Sequence, residues 1–315
     1  MVLYLLQRLA VFAATLIVAS AVVFAVMAIL PGDAAETILG PTATPQAVAA
    51  LAHKLGLDLP IHVRYARWIG GLLSGDLGLS YAYGSPIAPL IASSLAVSLP
   101  LAVMAMALSA AIALTAGVYA AERRGRAGDA VVMGLTQVGI AVPNFWLAIL
   151  MAIVFAVMLR LAPAGGFPGW RDPARAVGAL ILPAIALGVV QAAILTRVTR
   201  SALLEALNED YMRTARAKGV PRRAAVWRHA LPNALVPVLT ILGLQFANLI
   251  AGAIVVENVF VLPGMGRLLL QSISNRDTLV VQDCVMLLAI LVIGLNFVVD
   301  LACAAIDPRL RSRAT

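Results

Sequence analysis

Reactive side chains are sparse in this chain. Three histidines (His53, His62 and His229), two cysteines (Cys284 and Cys303) and 15 Asp and Glu residues are spread over 315 positions. No Ser-His-Asp or Cys-His set assembles from them, so no nucleophile with an activating base is expected. A phosphate loop of the form G-x-x-x-x-G-K-[ST] is absent, and its nearest approach, GMGRLL from Gly264, lacks the lysine. No His, Cys–His or paired-carboxylate cluster lies at the centre of an apolar run. The expectation is no catalytic residue and no metal site. What remains is a basic segment, DYMRTARAKGVPRRAAVWRHALPNALVP from Asp210 to Pro237, and two carboxylates, Glu257 and Asp300, in apolar surroundings where charge is costly.

These residues must be positioned by a chain that is 62% hydrophobic and 12% charged, with a mean hydropathy of +0.97. Uncharged runs occupy 9–32, 130–159, 176–196 and 229–256. A fifth span begins near Ser94 inside the uncharged stretch 77–121, and a sixth run, 284–306, is interrupted by Asp300. Crossing roughly 30 Å of hydrocarbon takes about 20 apolar residues in a helix, and all six segments pass that test. Lipid admits helices or closed barrels, and the period-2 alternation of barrel strands is missing. The expected fold is all-α and polytopic, with six transmembrane helices. The first run, about 22 residues long after Arg8, exceeds a signal-peptide core and has no small-x-small site behind it, so it reads as an uncleaved span. Cys284 and Cys303 are 19 residues apart in one span. That is about 28 Å along a helix, too far to bridge, and both read as small hydrophobes.

Six spans place both termini on one side. That side carries 15 Lys and Arg and the other carries eight, so the termini and the basic segment are expected in the cytoplasm. The formal net charge of +8 is then mostly a topology signal, and no nucleic-acid partner is expected. The chain divides into a first helix at 1–30, an external segment at 31–93, a five-helix core at 94–306 with a cytoplasmic loop at 208–230, and a tail at 307–315. Within the external segment, Leu57, Leu59, Ile61, Val63 and Trp68 interleave with His62, Arg64 and Arg67. After Pro60 this pattern predicts a short amphipathic helix lying on the membrane surface, either a cap or a docking surface.

The basic segment has the grammar of a short helix. Asn208 or Asp210 can cap its start, and Glu209 and Asp210 suit the positive end of the dipole. Arg213, Arg216 and Lys218 fall in the later turns; Gly219 sits where a left-handed residue closes a helix, and Pro221 stops continuation. So short a helix is marginal alone and needs a surface to lie against. Ala215 and Gly219, four apart with Tyr211 one turn before, predict a small face for close backbone approach. Beyond the break, the chain resumes helically through His229 and enters the next span near Pro232.

At this point the spacing resembles a known family. Ala215-xxx-Gly219 followed by Leu231-Pro232 is similar to the EAA loop of ABC importer permeases, Glu-Ala-Ala-xxx-Gly and, nine residues on, Ile-x-Leu-Pro. Arg213, Thr214 and His229 depart from it at the Glu, first Ala and Ile positions. DYMRTARAKG, VVENVFVLPGMGRLL, NRDTLVVQ, DPRLR, GLDLP, GDLGLS and VPNFW resemble the dipeptide, oligopeptide and nickel branch, from the first span to Arg311. The resemblance implies a type I ABC importer transmembrane fold in a bacterial inner membrane. It also implies a coupling helix formed by Asp210, Tyr211, Arg213, Ala215, Arg216, Lys218, Gly219, His229 and Pro232, seated on an ATPase subunit. The implied partners are a second permease, commonly a different chain, two ATPase subunits that hold the ATP and Mg, and an external substrate-binding protein. Short peptides are the broadest substrate expectation, with nickel complexes and glutathione as alternatives.

A stand-alone secondary transporter would predict a symmetric pair of broken helices or a membrane-centre ionisable site, and neither is visible in the sequence. Intramembrane polar groups are mostly amides: Gln137, Asn144, Gln191, Gln245, Asn248, Asn258 and Asn296. Helix–helix hydrogen bonding is the first expectation for each, and a solvated path the second. Asp300 and Asp307, seven apart, are expected to pair with Arg side chains, and Glu257 lies at the outer end of its span. Pro100, Pro143, Pro183 and Pro237 can kink the helices that hold them, with static curvature the expected effect.

Overall fold

A computed structural model describes residues 2–29, 34–40 and 42–306; the DPRLR motif and Asp307 lie outside them. The helices are α1 (Val2–Ile29), α2 (Ala34–Leu39), α3 (Pro45–Leu55), α4 (Ile61–Ser74), α5 (Ile87–Glu122), α6 (Ala127–Ala141) and α7 (Asn144–Met151). A π-helical stretch, Ala152–Met158, continues α7. There follow α8 (Pro173–Asn208), α9 (Asp210–Ala217), α10 (Arg222–Ala225), a π-helical Val226–Ala230, α11 (Leu231–Val259), α12 (Met265–Ser274) and α13 (Thr278–Ile306). Among the described residues, five helices are long and apolar enough to cross a membrane, at Leu5–Ile29, Ile87–Glu122, Pro173–Asn208, Arg223–Val259 and Thr278–Ala305.

The expected span at 130–159 is not one straight helix. Ala127–Ala141 and Asn144–Met158 meet at 97°, so this segment is a broken span or a re-entrant loop. The break has a local cause. Pro143 brings no N–H, and its ring drives Val142 into an extended conformation (φ −83°, ψ 121°). Pro100, Pro183 and Pro237, by contrast, sit inside continuous helices.

The chain divides into two compact units. The first comprises 1–9, 99–262 and 294–315, and α8 is its central element, packing on α11, α6 and α7. Asp172 caps α8 by accepting from the Arg175 N–H at 3.1 Å, with Pro173 in the first turn. At 36 residues α8 is about 54 Å long, well beyond roughly 30 Å of hydrocarbon. It is approached through glycines. A Cβ on Gly188 would fall 2.8 Å from the Ala105 carbonyl, on Gly139 2.9 Å from the Ala193 methyl, and on Gly117 2.7 Å from Thr199. Close backbone approach through small residues is how helices associate where no water drives them together.

The second unit comprises 10–98 and 263–293. Thr44 caps α3 and Gly56, at φ 69°, closes it; α4 then starts after Pro60. The amphipathic helix expected after Pro60 forms, and one side of it is fastened to spans. Phe24 of α1 packs edge-on to Tyr65 (5.3 Å) and stacks on Trp68 (5.9 Å), Tyr65 bonds Ser20 at 2.7 Å, and Trp68 donates to Asp283 of α13 at 2.8 Å. Span α5 begins at Ile87, ahead of the expected 94.

Candidate functional site

The segment from Asp210 is a helix, bounded as its composition demands. Helix α8 runs through Asn208, so neither Asn208 nor Asp210 is the cap. Glu209 takes that position with an extended backbone and no side-chain cap bond. Asp210 instead pairs with Arg213 at 3.3 Å across an exposed turn, a contact of little energetic weight. At the other end the Val220 N–H bonds the Ala215 carbonyl and the Gly219 N–H bonds the Arg216 carbonyl, the two bonds of a Schellman motif. Gly219 has φ +81°, a conformation in which side chains are disfavoured.

The face that this helix buries differs from the expected one. Met212 (1% exposed) and Ala215 (9%) pack into a cluster with Val118, Leu203, Val226 and Ala230. Ala215 therefore faces the chain's own core and does not share an open small face with Gly219. The exposed surface consists of Asp210, Tyr211, Arg213, Thr214, Arg216, Ala217, Lys218 and Gly219. Two bonds fix its attitude, and a third steadies the Asn233 side chain that makes one of them. Arg216 donates to the Leu207 carbonyl in the last turn of α8 at 3.1 Å, where a cation also meets the dipole. Asn233 donates to the Tyr211 hydroxyl at 3.2 Å and to the His229 carbonyl at 2.8 Å. Partial burial raises the Tyr211 pKa; the Asn233 bond acts in the opposite direction. His229 lies exposed in the π-helical stretch and Pro232 is exposed in the first turn of α11.

Beside the loop is an ion pair that sequence reasoning missed. Asp129 accepts two bonds from Arg200, at 2.6 and 2.7 Å, and a third from the Gly125 N–H at 3.0 Å. The fork-to-fork geometry is the strong form of this pairing, and Asp129 is buried. Nothing in the sequence separates Arg200 from the other positive charges of its segment. Of the two singled-out carboxylates, Asp300 pairs with Arg8 at 2.7 Å, half-exposed. Glu257 is buried in the last turns of α11, where its carbonyl accepts the Leu262 N–H at 2.8 Å.

The amides mostly bond protein. Gln191 donates to the Gln245 carbonyl at 3.2 Å, Asn248 to the Gln245 side chain at 3.0 Å, and Asn258 to the Ile254 carbonyl at 2.7 Å. In the second unit, Asp277 joins two sequence motifs. It accepts from the Ser80 hydroxyl (2.5 Å) and the Ala82 N–H (3.0 Å), tying GDLGLS to NRDTLVVQ, and stands just before α13. Burial, then the nearby Asp277 carboxylate, raises the Tyr81 pKa, against an opposing pull from Arg64.

Residues 113–312 match the model of the binding-protein-dependent transport system inner membrane component, and residues 1–114 match the N-terminal model of the same system. A putative peptide transport system permease protein of Brucella abortus is 41% identical over 308 residues, 98% of each chain. A glutathione transport system permease protein of Salmonella paratyphi A is also 41% identical with 98% of each chain covered. A dipeptide transport system permease protein of Alkalihalophilus pseudofirmus is 38% identical over 99% of this chain and all of its own. With matches of this length joined to a set of membrane-spanning helices, the chain belongs to the multi-pass inner-membrane permeases of binding-protein-dependent ABC importers, in the peptide and nickel branch.

Proposed function

We propose that this chain is one permease subunit of an ATP-driven importer of short peptides and that α9 is its coupling helix. The supporting observation is the construction of α9. Its inner face is anchored by Met212 and Ala215, its end is closed by Gly219, and its outer face leaves Tyr211, Arg213, Arg216 and Lys218 exposed. An eight-residue helix so firmly held can transmit a displacement to α8 and α10, on which it rests, and to α11 through the Asn233–Tyr211 bond. Two ATPase subunits supply the ATP and Mg, a second permease completes the pathway as a heterodimer, and an external binding protein delivers substrate. Both termini and α9 face the cytoplasm, following the excess of Lys and Arg on that side.

Purification of the tagged chain in mild detergent, with mass spectrometry of what accompanies it, tests this assembly. Recovery of an ATPase pair, a second permease and a peptide-binding protein is expected. Transport by the chain reconstituted alone would overturn the reading in favour of a secondary transporter. A glutathione- or nickel-binding protein in place of the peptide one would move the substrate and leave the mechanism.

A further inference from the structure

The second unit contains a cavity of about 240 Å³, bordered by α1, α4, the loop before α5 and the start of α13. Taking about 30 Å³ per water, it has room for roughly eight waters, the size of one or two amino-acid residues. Its lining is mixed. Phe24, Trp68 and Tyr81 supply aromatic surface, Arg64 and Arg67 supply two guanidinium groups, Gln282 supplies an amide, and Asp283 and Asp76 supply carboxylates, that of Asp76 already accepting from the Gly78 N–H at 3.1 Å.

Two of those groups lack partners. Asp283 is fully buried, and while Oδ1 accepts from the Trp68 indole at 2.8 Å, Oδ2 has no hydrogen bond. The neighbouring Gln282 is 8% exposed, and its Nε2 has none either. A buried carboxylate oxygen and a buried amide N–H left unpaired each carry a desolvation cost that a bound ligand would relieve. Asp277, six residues before, differs in having its oxygens satisfied by Ser80, Ala82 and Val280.

The missing partners define a ligand. Asp283 Oδ2, beside aromatic rings, calls for a cation with N–H donors, as an ammonium has. Gln282 Nε2 calls for an acceptor such as a carbonyl. Arg64 and Arg67 would repel a bare cation and call for a carboxylate. We propose that this cavity binds the ammonium and carboxylate ends of a short zwitterionic peptide, with Asp283 on the amino terminus, Gln282 on a peptide carbonyl and Arg64 and Arg67 on the carboxyl terminus. It is a substrate site on the face assigned to the exterior, where peptide released by a binding protein is held before it enters the pathway. The identity of the zwitterion as a peptide rests on the import reading above; the need for an ammonium and a carboxylate does not.

The test is equilibrium dialysis of radiolabelled L-alanyl-L-alanine against the full chain in lipid nanodiscs. Saturable one-to-one binding is expected. Asp283→Asn keeps an oxygen for the Trp68 bond but removes the charge, and it weakens binding at least tenfold, as does N-acetylation of the probe. Arg64→Gln with Arg67→Gln weakens binding of the free dipeptide tenfold yet leaves the C-terminal amide unaffected. Gln282→Met, of similar length, gives a several-fold loss, and unchanged thermal unfolding shows that each variant is folded. Absence of saturable binding, or binding indifferent to both Asp283→Asn and N-acetylation, overturns the site. ATP-driven uptake of the dipeptide by the intact importer separates the two readings. Uptake of the dipeptide by an importer whose permease chain does not bind it leaves the peptide reading standing without the site. Binding of free leucine with the same Asp283 dependence, with no dipeptide bound or transported, keeps the site and removes the peptide reading.

Discussion

At the scale of single residues, the decisive contacts are those whose partners are distant in sequence. Asp129 and Arg200 are separated by 71 positions, and each alone reads as one more charge at the end of a span. Together they form a buried, bidentate pair that holds the start of α6 to α8. Asp129→Ala leaves the Arg200 guanidinium largely buried without its carboxylate, a change that typically costs about 3–5 kcal/mol. Thermal unfolding of the detergent-solubilised variant is expected to shift sharply downward, and Arg200→Met in the same chain should recover part of the loss. Gly219 was legible, because a glycine after basic turns and before Pro221 has few other uses. Its Cβ would meet nothing within 4 Å, so the penalty of substitution is conformational alone, about 1–2 kcal/mol for a residue forced to φ +81°. Gly219→Val is therefore expected to insert normally into membranes and to lose ATPase co-purification, while Gly219→Asn, better suited to a left-handed backbone, retains most of it. Equal recovery of ATPase with both would argue against a shaped docking surface. Ala215 shows the limit of such reading: the spacing is real, but which face of a short helix turns inward depends on Met212 meeting Leu203 and Val226, and no local pattern states that.

At the scale of elements, apolar run length located the spans, because hydrocarbon thickness sets the minimum length of a spanning helix whatever the fold. It could not show which proline would break one. Pro100, Pro183 and Pro237 are accommodated within helices, whereas Val142-Pro143 turns the chain through 97°. The difference lies on the far side of Pro143. There Asn144 resumes a helix that packs on α11, and a Cβ on Gly252 would fall 2.7 Å from the Asn144 amide nitrogen. Run length was equally silent about α4, whose amphipathic pattern suits a lipid surface and a protein groove alike. The aromatic contacts to Phe24 show that one side of it packs on protein. Element packing also yields a sharp expectation at Gly188. Any side chain there drives into a backbone carbonyl, that of Ala105, which cannot rotate away. Gly188→Val should separate α5 from α8 and destabilise the chain by at least the about 1–3 kcal/mol typical of overpacking. Gly178→Val, where a Cβ meets nothing within 4 Å, is the matched control in the same helix and is expected to unfold at the wild-type temperature.

For the whole molecule, the proposal depends on orientation, since α9 can meet an ATPase only from the cytoplasm and the Asp283 cavity can receive delivered substrate only from outside. Charge asymmetry acts on orientation through many weak contributions, none of which is visible as a contact, so the sequence states an expectation for orientation where it states none for side-chain pairing. The chain is well suited to a direct check. Its two native cysteines, Cys284 and Cys303, are buried and free, and so are shielded from a bulky membrane-impermeant maleimide. Ser74, at the end of α4, and Lys218, at the end of α9, are both exposed and lie outside the apolar spans. In spheroplasts, Ser74→Cys is expected to label at once, and Lys218→Cys only after the membrane is permeabilised. The reverse pattern would invert the topology and take the coupling assignment with it. Labelling of both from outside would place α9 beyond reach of an ATPase. If the expected pattern holds, adding the ATPase subunits to permeabilised membranes should slow labelling at Lys218→Cys and leave Ser74→Cys unchanged, because docking covers one face of the molecule and not the other.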